Sequence, residues 1–212
     1  MENILQNSKS KLLDAALQVI RTKGYTATTI DDICASASLT KGSFFHHFKS
    51  KEDLALAAVD HWNAMTSGMF SQSAYHRIKD PRDRVLAYID LRAEILHGEL
   101  PDFTCLLGTM VQETFETHPR IRDACNAGIS SHAETVAVDI AAAKVRYAPD
   151  AKWDAGSLAL YTQAVIQGAF ILAKAQGSAE IAALCIVHLR YYVEGLLTPG
   201  SPFSKQPLKE KP

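Results

Sequence analysis

A chain of 212 residues that is 47% hydrophobic and 21% charged can bury a sizeable core, which excludes a disordered or fibrous protein and fits one domain of ordinary size plus a small one. The formal net charge of −1 excludes a protein that coats nucleic acid through global basicity, yet between Ser8 and Lys51 seven basic residues stand against three acidic ones. No basic patch leads into a long apolar run and no stretch approaches roughly 18 uninterrupted apolar residues, so a cytoplasmic protein with no membrane partner is expected.

Four scattered cysteines, Cys34, Cys105, Cys125 and Cys185, lack the C-x-x-C spacing of a zinc site or redox motif, so reduced thiols and no metal are expected. Met1 to Asn7 carries no basic residue and is expected to fray rather than to reach into a groove. A first helix follows, with Leu12, Ala16, Val19 and Ile20 as its apolar stripe, Arg21 and Lys23 at its negative end, and Gly24 placed to stop it.

From Thr28 to Asp53 the sequence reads as two short helices, a tight turn and a third helix start. Thr29 is a good N-cap, and Asp32 three residues on can close a capping box while Asp31 adds negative charge at the positive end. Ile30, Ile33 and Ala37 share one buried face, after which the chain must bend at Ala37-Ser38-Leu39. Thr40 caps the second helix. At about 100° per residue Phe44 and Phe48 point one way, Gly42, Ser43 and His46 the other, and Phe45 and His47 lie on the flanks. One side packs and the other is free to read DNA, because a bare Gly, a small hydroxyl, imidazoles and the Lys41 amine can approach phosphates and base edges closely. Lys51 starts the next helix, where backbone amides and an ammonium together suit a phosphate.

The residues T-x-x-x-I from Thr29, followed by L-T-K-G-S-F-F-H-H-F-K-S-K-E-D-L from Leu39, resemble the DNA-binding domain of the TetR/AcrR family of bacterial repressors, over about Lys9 to Val59. The chain departs from the family twice: Ser38 holds a turn position often taken by Gly, and Phe45 stands where the family often has Tyr. A non-Gly residue is poorer at positive φ, and the missing hydroxyl removes a contact that in the family usually meets a phosphate. The resemblance implies an all-α fold with a helix-turn-helix DNA-binding domain over residues 1–52 and a ligand-binding and dimerisation domain over 53–198. It implies a repressor released from a palindromic operator by a small-molecule effector, with Thr29, Thr40, Lys41, Gly42, Ser43, Phe45, His46, His47 and Lys51 at the DNA.

The helix from Lys51 carries Leu54, Ala58, His61, Trp62 and Met65 and is expected to run to about Phe70, leaving the small domain as a lever into the larger one. After a polar connection, Asp80-Pro81-Arg82-Asp83 starts a helix that reaches His97-Gly98. Pro101 opens the next, to about His118, and a long helix spans Pro119 to Tyr147. Two last helices, about Ala151 to Gln176 and Ser178 to Thr198, are separated by Gly177, which makes about nine in all. Both are apolar over more than one face, so each is expected to bury one side at home and the other against a second copy of the chain. Small Ala164 and Gly168 would let that copy approach, and Tyr191 and Tyr192 would anchor it. Residues 199–212, rich in Pro and Lys, read as a disordered tail.

Family resemblance places an effector among the middle helices, where Trp62, Met65, Phe103, Met110, Gln112, Glu113, His132 and Tyr161 are candidates. Core packing is the competing reading for the apolar ones, and for His132 a satisfied buried imidazole. Cys105, four residues past Pro101, is expected in the first turn of its helix, where thiolate is favoured, and its surroundings resemble relatives that respond to electrophiles; a packing cysteine is the alternative. No catalytic motif and no cofactor site is legible. A helical enzyme or a protein-binding adaptor remains the alternative to DNA binding, and neither has a use for Gly42 flanked by imidazoles.

Overall fold

The computed structural model describes residues 2–200, with side chains from Asn7 onward. Among the described residues all regular structure is helical: α1 (Glu2–Lys23), α2 (Ile30–Ala37), α3 (Lys41–His47), α4 (Lys51–Ser71), a 3-10 turn (Ala74–Arg77), α5 (Pro81–Glu94), α6 (Leu100–Phe103), α7 (Leu106–Thr114), α8 (Pro119–Tyr147), α9 (Ala155–Gln176) and α10 (Glu180–Leu196). The disordered tail expected over 199–212 lies, from residue 201, outside the described residues.

Several boundaries differ from those expected. The end expected to fray to Asn7 is helical from Glu2, and no Gly or Pro interrupts it. The single helix expected from Pro101 is broken: Thr104 and Cys105 leave the helical path, and Cys105 caps α7 without a side-chain hydrogen bond, so it precedes the helix rather than sitting in its first turn. Helix α5 ends at Glu94, and α9 starts at Ala155 because Asp154 accepts the Ser157 amide at 2.8 Å. Gly177 does end α9, in the left-handed conformation a Cβ disfavours.

The chain packs into two compact units, one from the described parts of Met1–Phe70 with Thr104–Ile129, the other from Ser71–Phe103 with Ser130–Pro212. Helix α4 therefore stays with the first unit to Phe70, and α8 is the helix that contributes to both. In the first unit, Leu12, Ala16 and Ile20 of α1 meet Ile33, Phe44, Leu54, Leu106, Met110, Ile121 and Cys125, all fully buried. In the second, α10 packs against both α9 and α5, around Val85, Ile89, Ile140, Ile166, Ile186 and Val193. Helix α9 is long and apolar enough to cross a membrane by length and composition. Its apolar residues divide between a buried face with Leu158, Ile166 and Phe170 and an exposed one with Leu160, Ile171 and Leu172.

Candidate nucleic-acid interface

The two short helices are held by their caps. The Thr29 hydroxyl accepts the Asp32 amide at 3.1 Å and the Asp32 carboxylate accepts the Thr29 amide at 2.8 Å, closing the box read from the sequence. Lys23 lies 2.5 Å from the same carboxylate, and its hydrogen bond, with those from Thr29, holds the Asp32 carboxyl far below the usual range. Thr40 accepts the Ser43 amide at 3.2 Å and so starts α3. Between them Ser38 sits at φ 54°, ψ 43°, the one non-Gly residue at positive φ among those described. Its amide donates to Ala35 O and that of Leu39 to Cys34 O, which satisfies the last carbonyls of α2.

Helix α3 divides as its periodicity predicts. Phe44 and Phe48 are buried with ring centroids 5.7 Å apart. Lys41, Gly42, Phe45 and His46 are exposed, Phe45 to 56%, and Ser43 is half-buried. A Cβ on Gly42 would meet only the Thr40 hydroxyl, at an ordinary 3.6 Å, so the protein's own packing does not require glycine there. Lys41 pairs with Asp31 at 2.9 Å across the turn, both ends mostly in water. Such a pair contributes little to stability and leaves the ammonium at the surface.

His47 and Lys51 have partners the sequence did not suggest. His47 Nε2 lies 2.7 Å from the Ser8 hydroxyl, its ring 4.9 Å from that of His46, and partial burial, then the charges of His46 and Lys9, push its pKa down. The Lys51 ammonium, expected at a phosphate, donates within the chain to the carbonyls of Tyr25 and Thr28, both at 3.0 Å, and lies 4.3 Å over the Tyr25 ring. Desolvation lowers its pKa. Ser8 and Tyr25 could not have been found from local pattern, because each acts across more than twenty residues of chain.

The residues singled out for an effector are dispersed. In the first unit Trp62 stacks on the Arg21 guanidinium at 4.9 Å, Met110 is fully buried, Cys105 is half-buried, Met65 is 47% exposed, and Glu113 accepts the Thr26 amide at 2.7 Å. In the second, Phe103 packs beside Phe170, Tyr161 lies on the exposed face 5.3 Å from Tyr192, and His132 joins a buried polar group. There Gln163 Nε2 donates to the Tyr88 hydroxyl at 3.1 Å, and Tyr88 lies 2.8 Å from His132 Nε2. Burial first, then the Arg92 charge, pushes the His132 pKa down to about 4, so the imidazole is neutral.

Residues 12–58 match the family model for bacterial regulatory proteins of the tetR family, and residues 81–184 match that for the C-terminal domain of LmrA/YxaF-like transcriptional regulators. The chain belongs to the TetR family. An HTH-type transcriptional regulator in the lacX 3' region of Lactococcus lactis is 45% identical over 26% of this chain and 29% of its own. The HTH-type transcriptional repressor NemR of Escherichia coli is 26% identical over 58% of this chain and 61% of its own, so the chain spans less than two thirds of these curated relatives. Among solved structures, a TetR transcriptional regulator from Chloroflexus aurantiacus superposes with a TM-score of 0.77 at 28% identity, covering 92% of this chain and 97% of that one. The outward side of α3, both caps and Lys51 all lie within the segment that matches the TetR N-terminal domain.

Proposed function

We propose that this chain is a DNA-binding transcriptional repressor that grips a palindromic operator as a homodimer and is released by a small-molecule effector. The observation that carries the reading is α3 itself: a helix anchored by two buried phenylalanines that presents Lys41, Gly42, Phe45 and His46 outward, with a glycine its own packing does not need. Those side chains suit a groove, with the amine and imidazole for phosphate or base edges and the bare glycine for close approach. A reading helix of seven residues spans only a few base pairs, so useful affinity needs two copies.

The exposed faces of α9 and α10 support the second copy. Leu160, Ile171 and Leu172 on one and Leu184, Val187 and Tyr191 on the other are at least 40% exposed, and a Cβ on Gly168 would touch nothing within 4 Å. Apolar surface of that extent on adjacent packed helices favours burial against a like face. For the effector, the buried group of Tyr88, His132, Gln163 and Thr162 in the second unit offers the few convergent polar atoms that orient a ligand in an apolar core. The repressor is read as a cytoplasmic protein that needs no cofactor.

The test is fluorescence anisotropy with labelled duplexes tiling the DNA upstream of the chain's own gene, at several salt concentrations. Binding of one duplex at least about 10³-fold tighter than of shuffled sequence, with affinity falling steeply as salt rises, is the expected result. Equal, weak binding to every duplex would remove the operator reading in favour of the adaptor or enzyme alternatives.

A further inference from the structure

The Gly24–Thr28 turn joins α1 to α2 and delivers the chain to the Thr29 cap, and it is gripped by opposite charges carried on two other helices. From the start of α4, Lys51 Nζ donates to the carbonyl oxygens of Tyr25 and Thr28 at 3.0 Å and of Thr26 at 3.4 Å. From α7, Glu113 Oε2 accepts the Thr26 amide at 2.7 Å. The other Glu113 oxygen lies against Gly24, where any Cβ would collide with it, and Gly24 is at φ +85° besides. The backbone conformation favours glycine, and a side chain there would have to displace the Glu113 carboxylate. The Thr28 hydroxyl closes the turn on Gly24 O at 2.6 Å, and the Tyr25 ring, pinned beneath Lys51, also meets His118 edge-on at 5.2 Å.

The carboxylate and the ammonium thus take the two polarities of one short backbone segment. Charged partners roughly double the strength of a hydrogen bond, and the anion and cation each stabilise the other across the turn. We propose that Lys51 and Glu113 are positioning residues for DNA reading, clamping the α1–α2 turn by its carbonyls and its amide so that operator affinity depends on where α7 holds the Glu113 carboxylate. The consequence for DNA rests on the repressor reading above, whereas the clamp itself does not.

Hydrogen exchange of the full-length protein, followed by mass spectrometry, tests the clamp without DNA. Glu113→Ala is expected to speed exchange in the peptide covering Gly24–Asp32 by about tenfold, the size expected for losing a charged hydrogen bond, while peptides from α9 and α10 keep wild-type rates. Glu113→Gln retains an acceptor of the same reach and should restore most of the protection; Lys51→Met should loosen the same peptide. Unchanged exchange in the turn, or an equal rise over the whole chain, overturns the proposal, the latter because it marks general destabilisation. In the anisotropy assay on the best upstream duplex, Glu113→Ala should bind about tenfold more weakly and Glu113→Gln near wild type. Wild-type affinity in Glu113→Ala despite a loosened turn overturns the positioning role. Failure of the wild-type chain to prefer any duplex sinks the repressor reading instead, and the exchange result still decides the clamp.

Discussion

Gly42 and His132 show how far single residues can be interpreted once their surroundings are known. At Gly42 the protein leaves room for a side chain, so Gly42→Val should change the midpoint of thermal unfolding by no more than the ordinary cost of a β-branched residue in a helix, while DNA affinity falls by about tenfold or more through collision with the duplex. Equal loss of folding and binding would mean that the glycine serves the fold. At His132 the unfolded chain takes up a proton near pH 6.5, whereas the folded chain, with the ring largely withdrawn from water beside Tyr88 and under the charge of Arg92, does so only near pH 4. As pH falls between those values the unfolded state binds more protons, so stability is lost. From pH 7 to pH 5 the loss is about 2 kcal/mol, and urea unfolding of wild type and His132→Gln at both values measures it. An undiminished slope in His132→Gln would assign the acid sensitivity to other groups.

The α2–turn–α3 element carries one recognisable strain. Ser38 adopts a left-handed conformation that costs an L-residue about 1 to 2 kcal/mol, although its amide and that of Leu39 satisfy the helix end well. Ser38→Gly relieves that strain but frees the unfolded chain, so a net gain of about 0.5 to 1 kcal/mol is expected. Thermal unfolding should then rise by about 2 °C with operator preference unchanged. A lower midpoint would show that the serine side chain contributes something glycine cannot. Thr40→Ala, by contrast, removes the α3 cap and should cost about 1 kcal/mol while also weakening DNA binding, because the reading helix would fray from its first turn.

For the whole molecule the property to measure is association. A Cβ at Gly168 would meet nothing within 4 Å, so Gly168→Phe should be tolerated within one protomer and should impede the approach of a second. Light scattering at micromolar concentration is expected to report dimers for wild type and a raised monomer fraction for Gly168→Phe or Leu184→Glu. A wild-type monomer contradicts the dimer, and unaltered dimers in both variants move the contact to other helices.

By itself the sequence determined much of what depends on residues within a turn or two of each other, although the Asp154 cap of α9 went unread. The Thr29 box, the Thr40 cap, the stop at Gly177 and the inward Phe44 and Phe48 are local matters of hydrogen-bond reach and 100° periodicity, and each is legible from spacing alone. The break at Thr104 and Cys105 is not, since nothing in Pro101 to Thr114 forbids a continuous helix; at the break the Thr104 carbonyl accepts from the Arg21 guanidinium of α1 at 3.4 Å. The partners of Lys51 and Glu113 within the chain are not legible either, because charge at a helix end or on a helix flank has no address in sequence. Tertiary structure brings them to one turn from 26 and 87 residues away, where backbone carbonyls meet a cation on one side and a backbone amide meets an anion on the other.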